Sequence, residues 1–185
     1  MPYLTVRETI AFSAHTRLPE SMTHAAKEII VNEILTTLRI QDIQHSKIGG
    51  NGIRGISGGE KRRVSIGVEL VTSPTILFLD EPTSGLDSHA AHMVATTLVE
   101  LAKRQNKVII CTIHQPRSDM FILFDDLLVL TKGETLYCGE TCRARDFFAE
   151  QGWVCPTGYN VADYMSTFFV YPSMGRRDSL NTVIL

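Results

Sequence analysis

The chain alternates short, unbroken apolar runs with longer amphipathic stretches. Ala26, Ile29, Ile30, Ile34, Leu35 and Leu38 recur at helical spacing, with Lys27, Glu28, Asn32 and Glu33 between them, which predicts a helix within residues 21–40. Residues 47–59 form a glycine-rich loop, and residues 60–72 read as a second helix. Thr75-Ile-Leu-Phe-Leu79 is a short apolar run ended by Asp80-Glu81-Pro82, the pattern of a parallel strand buried on both faces. Ala91, Val94, Ala95, Leu98 and Leu101 predict a helix over 88–104, and Lys107 to Ile113 a second buried strand. A short helix follows at 118–124, then strands from Asp126 to Thr131 and from Glu134 to Tyr137 around the turn Lys132-Gly133, then a helix at 141–151. Strands alternating with helices predict an α/β fold with a largely parallel sheet. No element is assigned to residues 166–185.

Composition narrows the classes. A length of 185 residues fits one domain at roughly 150 residues per domain. Eighteen Lys plus Arg against 20 Asp plus Glu leave a net charge of −2, which argues against nucleic-acid binding through a basic surface. No apolar run approaches the ~20 residues of a membrane-crossing helix. Arg7 and Glu8 interrupt the start before a secretory core can form. Cys111, Cys138, Cys142 and Cys155 contain no CxxC pair, so they read as reduced thiols of a cytosolic protein, and neither disulfides nor zinc are expected.

In open α/β sheets, ligands sit beyond the carboxyl ends of the strands. There, the run 75–79 ends in two adjacent carboxylates, Asp80 and Glu81, and the run 107–113 ends in His114. Neighbours in an extended segment point to opposite sides, so one carboxylate can face a metal while the other faces a water. With the imidazole they suit metal-assisted attack of water on a phosphate. The plainer reading has Asp80 capping a turn and His114 in an ordinary loop, and these residues alone weigh the two evenly. Ser57-Gly58-Gly59-Glu60 has capping-box spacing. Its glycines leave bare backbone N–H groups at a helix N-terminus, an anion site reinforced by the helix dipole. Lys61, Arg62 and Arg63 add positive charge, part of it plain solvated surface. Asp87 has the position of an N-cap for helix 88–104.

These segments, taken together, resemble a known family. Ile56-Ser-Gly-Gly-Glu-Lys-Arg-Arg-Val-Ser-Ile66 is similar to the signature motif of ATP-binding cassette (ABC) proteins. Ile76-Leu-Phe-Leu-Asp-Glu-Pro-Thr83 resembles their Walker B strand, Ser84-Gly-Leu-Asp87 their D-loop, and Thr112-Ile-His-Gln-Pro116 their switch-histidine loop. Leu4-Thr-Val-Arg-Glu-Thr9, the Glu60 variant of the signature, His114-Gln-Pro116 and Asn160-Val-Ala-Asp-Tyr164 resemble the ABCG (White-type) subfamily. The implied fold is a partial P-loop NTPase (RecA-like) ABC ATPase domain, α/β, with a mostly parallel sheet and a helical signature subdomain. Residues 1–72 would form the helical subdomain, 73–152 the hydrolytic core, and 153–165 the start of a linker.

The resemblance also implies roles. Asp80 would hold Mg²⁺ through water, Glu81 would be the general base, and His114 would contact the γ-phosphate of ATP. Ser57, Gly58, Gly59 and Glu60 would form the signature face toward ATP bound on a second cassette, with Asp87 at the interface. A transmembrane domain in the complete protein would place the cassette on the cytoplasmic face of a membrane. The transported substrate is not legible here.

One expected motif is absent. The 185 residues contain no GxxxxGK[ST] phosphate loop. Gly50-Asn-Gly-Ile-Arg-Gly55 fits GxxxxG, but Ile56-Ser57 follows; it also fits GxGxxG, but no strand precedes it. The chain therefore reads as the second half of a cassette, which is expected not to bind ATP tightly or hydrolyse it alone, and to expose apolar surface. Val161 stands where the family usually has proline, and Tyr171 to Asp178 departs from its linker. Two other functions compete: a non-catalytic module that pairs with an intact cassette, and a soluble ABC ATPase of DNA repair or translation. The segment Asn160 to Tyr164 and the lack of coiled coils weigh against the latter.

Overall fold

The computed structural model describes residues 2–50, 52–113, 116, 118–131, 133–156, 159, 164 and 181–184. Two compact units emerge: residues 1–75 with 85–97, and residues 76–84 with the segment from Leu98 onward.

The first unit is helical. Helix α1 (Val6–Arg17) starts at a capping box in which the Glu8 N–H donates to Thr5 Oγ1 and the Thr5 N–H donates to the Glu8 carboxylate. Helix α2 (His24–Thr37) is capped by Thr23, and α3 (Gly58–Leu70) by Ser57. Val6, Ile10, Val31, Ile34, Leu35, Leu38, Val64, Ile66 and Leu70 form their buried core. The Ser13 hydroxyl and the Arg17 guanidinium both donate to the Val68 carbonyl, tying α1 to α3.

The sequence pattern assigned no helix to residues 6–17, although Thr5-x-x-Glu8 has the same capping spacing as Ser57-x-x-Glu60. On α2 the buried face lies slightly to one side of the expected one. Ile29 is exposed, whereas Lys27, read as polar surface, is buried. Its aliphatic stem lies in the interior while its ammonium donates to the carbonyls of His15 and Leu18 at the end of α1.

The second unit carries a five-stranded sheet in the order β1-β2-β5-β3-β4. Strand β1 (Ile76–Leu79) pairs in parallel with β2 (Val108–Ile113), from Ile76 opposite Val108 to Leu79 opposite Cys111. Strands β3 (Asp126–Thr131) and β4 (Glu134–Glu140) are antiparallel, as a tight turn through Gly133 at φ +82° requires. Strand β5 (Asn181–Ile184) runs antiparallel to both β2 and β3 and lies between them. The sheet is therefore mixed, and the parallel pairing implied by the strand–helix alternation is that of β1 with β2. Helix α4 (Ser88–Gln105), the single turn α5 (Ser118–Phe121) and α6 (Ala144–Glu150), preceded by a 3₁₀ turn, complete the described elements. Most of residues 166–185 lies outside the described residues.

The expectation that β1 is buried on both faces does not hold. Leu77 is 5% exposed, but Ile76 and Phe78 are 49% and 72% exposed, and Val108 beside them is 50% exposed. The reason is coverage. Alternate residues of a strand face opposite sides of the sheet, and among the described residues the face that carries Ile76, Phe78 and Val108 is left open while the Leu77 face is packed.

The glycine-rich loop also finds its explanation. Gly50 and Ile53 exchange both backbone hydrogen bonds across a tight reversal, with Gly50 at φ +130° and Gly52 at φ +83°. Beyond the reversal the two arms touch. A Cβ on Gly55 would lie 2.2 Å from the Ile48 carbonyl oxygen and 2.4 Å from Gly49 Cα. The GxGxxG match thus serves a turn and a backbone crossing. Because the atoms in the way are backbone, Gly55→Ala is expected to destabilise the chain by about 1–3 kcal/mol, read as a lowered urea midpoint with an unchanged slope.

Candidate functional site

The register of β1 on β2 decides what meets at the strand ends. With Leu79 opposite Cys111, the next residues, Asp80 and Thr112, also come together. The Thr112 hydroxyl donates to Asp80 Oδ1 at 2.6 Å and accepts the Glu81 N–H at 2.8 Å. One hydroxyl therefore fixes the Asp80 carboxylate and the backbone that carries Glu81. Glu81 has φ +43°, in the left-handed region that side chains other than glycine rarely adopt, and its carbonyl accepts the Ser84 N–H in the following turn. Asp80 and Glu81 are both exposed, and Cys111 behind them is buried, its thiol pushed up to about 12 by desolvation. The buried thiol is thus a packing group with no thiolate chemistry. His114, the third group expected here, lies outside the described residues.

The second candidate group belongs to the helical unit. Ser57 is the N-cap of α3, and Glu60 folds back on it. The Ser57 N–H and hydroxyl each donate to Glu60 Oε2 at 2.7 Å, and the Glu60 N–H donates to Ser57 Oγ at 3.4 Å. The N–H groups of a first helical turn have no acceptor within the helix. Ser57 and Gly58 are exposed and Gly59 is buried. Both glycines also permit close packing. A Cβ would meet Leu86 Cδ2 at 3.2 Å from Gly58 and Ala90 Cβ at 3.0 Å from Gly59. The start of α4 therefore lies directly against the start of α3. Asp87 caps α4, its Oδ1 accepting the Ala90 N–H at 3.0 Å, and this bond holds its carboxyl below the usual aspartate range.

The expected residues thus fall into two groups. Asp80 and Glu81 meet at the strand ends of one unit. Ser57, Gly58, Gly59, Glu60 and Asp87 meet at two helix N-termini of the other. Thr112 is the functional candidate that residue-by-residue reading missed. Its place in the motif around His114 was visible, but its partner depends on strand register.

The ABC transporter family model matches residues 1–84. A probable ATP-dependent permease of Saccharomyces cerevisiae is 50% identical over 179 residues, covering 96% of this chain and 17% of the permease. The chain is thus similar to ABC transporters over most of its length. ATP-binding cassette sub-family G member 8 of Homo sapiens is 46% identical over 164 residues, covering 89% of the chain and 24% of that protein. The broad substrate specificity ATP-binding cassette transporter ABCG2 of Mus musculus is 46% identical over 164 residues, covering 89% of the chain and 25% of that protein. The chain is therefore similar to part of ABCG-type transporters and spans about a quarter or less of these relatives' length. No helix among the described residues is long and apolar enough to cross a membrane.

The Thr112 bridge gives a direct structural test. Thr112→Val keeps the shape but removes the hydroxyl, and is expected to cost about 1 kcal/mol of stability by chemical denaturation. Thr112→Ser, which keeps the hydroxyl, is expected to retain most of it.

Proposed function

We propose that this chain is the ATP-hydrolysing part of an ABCG-type transporter cassette, which couples ATP hydrolysis to export of a lipophilic substrate through a transmembrane domain. The observation that carries this reading is the Thr112 bridge, which sets two carboxylate residues side by side at the mouth of a parallel strand pair. An exposed, oriented aspartate is a hard oxygen ligand, and such ligands suit Mg²⁺. Asp80 would hold Mg²⁺ through water, and the ion's chemistry is to neutralise charge on the transferring phosphate. Glu81 would act as general base, taking a proton from the attacking water at its carboxylate. His114 would donate to the γ-phosphate.

The N-terminus of α3 suits the other side of the reaction. Backbone N–H groups and the helix dipole at Ser57, Gly58 and Gly59 favour an anion. They would contact the γ-phosphate of ATP bound on a second cassette, identical or different. Glu60 holds Ser57 in the capping geometry, so phosphate contact would exchange the Ser57–Glu60 bonds for bonds to the nucleotide. Asp87 would lie at the same interface. The complete protein would sit in a membrane with this cassette on its cytoplasmic face. By itself the 185-residue chain, which contains no GxxxxGK[ST] sequence, would be inactive.

Two measurements test the reading. Glu81→Gln in the complete transporter is expected to abolish ATP turnover while leaving ATP binding in place, and undiminished turnover would remove Glu81 from the role of base. Titration of the 185-residue chain with Mg-ATP is expected to show no saturable binding in the micromolar range. A micromolar isotherm would show that these residues form a nucleotide site without a phosphate loop.

A further inference from the structure

A cluster far in sequence from both candidate groups has its own chemistry. His15 lies in the last turn of α1, His24 is the first residue of α2, and Glu28 follows one turn later on the same side of α2. One ligand atom from each of the three lies within 4.8 Å of the others, and the two imidazole rings are tilted at a centroid distance of 4.8 Å. Ligands around a tetrahedral zinc at ~2.0–2.1 Å are about 3.4 Å apart, so modest side-chain rotation closes the set. Both histidines are exposed and free to make that rotation.

The surroundings prepare the cluster. Arg7 donates to Glu28 Oε2 at 2.8 Å and is itself held by Gln44 and Asn32. The carboxylate is thereby oriented while its second oxygen is left for another partner, the usual task of groups behind a metal ligand. The Lys27 ammonium is engaged by the carbonyls of His15 and Leu18 rather than by the imidazoles. Two imidazoles and one carboxylate, with a fourth position open to water, form a donor set that zinc favours.

We propose that His15, His24 and Glu28 form a zinc site that joins the end of α1 to the start of α2. The absence of zinc was expected from cysteine spacing alone, which says nothing about histidines. The site is independent of the ATPase reading. It adds a metal-controlled brace to the helical unit, on helices whose other ends the phosphate chemistry does not use.

The test uses the full 185-residue chain with Cys138→Ser and Cys142→Ser in place, which removes the exposed thiols as competing ligands. Titration with Zn²⁺ against a chromophoric chelator is expected to show about one equivalent bound, with a Kd on the order of 10 µM or tighter, and a raised melting temperature. His15→Ala and His24→Ala, checked for folding by circular dichroism, are each expected to weaken binding by about tenfold or more and to abolish the thermal shift. Glu28→Gln tests the carboxylate in the same way. His45→Ala, an exposed histidine of the same unit, is expected to change neither readout. No saturable binding, or binding that survives both histidine substitutions, would overturn the proposal.

Discussion

The placement of the carboxylates at the strand ends depends on one register. Because Leu79 pairs with Cys111, the Thr112 hydroxyl reaches both Asp80 and Glu81. A slip by one residue would turn every side chain of β1 to the other face and separate the three groups. The two ends of the bridge differ in kind. Toward Asp80 it fixes a side chain; toward Glu81 it fixes a backbone held in the left-handed region, a conformation that persists only where neighbours over-determine it. A single hydroxyl thus couples the orientation of one carboxylate to the backbone path of the next.

In the helical unit the organising device is the helix start. Thr5 with Glu8 and Ser57 with Glu60 are the same reciprocal cap used twice, and Asp87 caps α4 by its carboxylate alone. Each cap satisfies N–H groups that a helix cannot satisfy itself. At α3 the cap has a second consequence. The glycines that follow Ser57 allow α4 to approach within contact, so two positive dipole ends lie together. The cap and the close approach of the two helices therefore come from the same four residues.

The apolar face formed by Ile76, Phe78 and Val108 stands against the rest of the core. A contiguous exposed apolar patch favours association with other chains. Leu77, Cys111 and Ile113 on the opposite face are buried, so the edge strand is anchored on one side only.

The amino-acid sequence alone determined most element positions, because the 3.6-residue periodicity survives in the apolar pattern of α2 and α4, and β1 and β2 stand out as short unbroken apolar runs. It also determined the caps at Ser57 and Asp87, because a helix start is a local matter of side chain and neighbouring N–H. Helix α1 was equally legible through Thr5-x-x-Glu8, a signal hidden by its short apolar face. What the tertiary structure decided is whatever rests on pairing between distant segments. The short apolar run of β1 could not show that one face is open, since exposure depends on what packs over that face. Lys27 resembled surface until the carbonyls at the end of α1 were found beside it. Thr112 was an ordinary strand residue until the register set Asp80 against it, and His15 had no partners until α2 folded back along α1. Short-range patterns carry the elements because local hydrogen bonding fixes them; sites made from distant residues depend on packing, which no short window of sequence encodes.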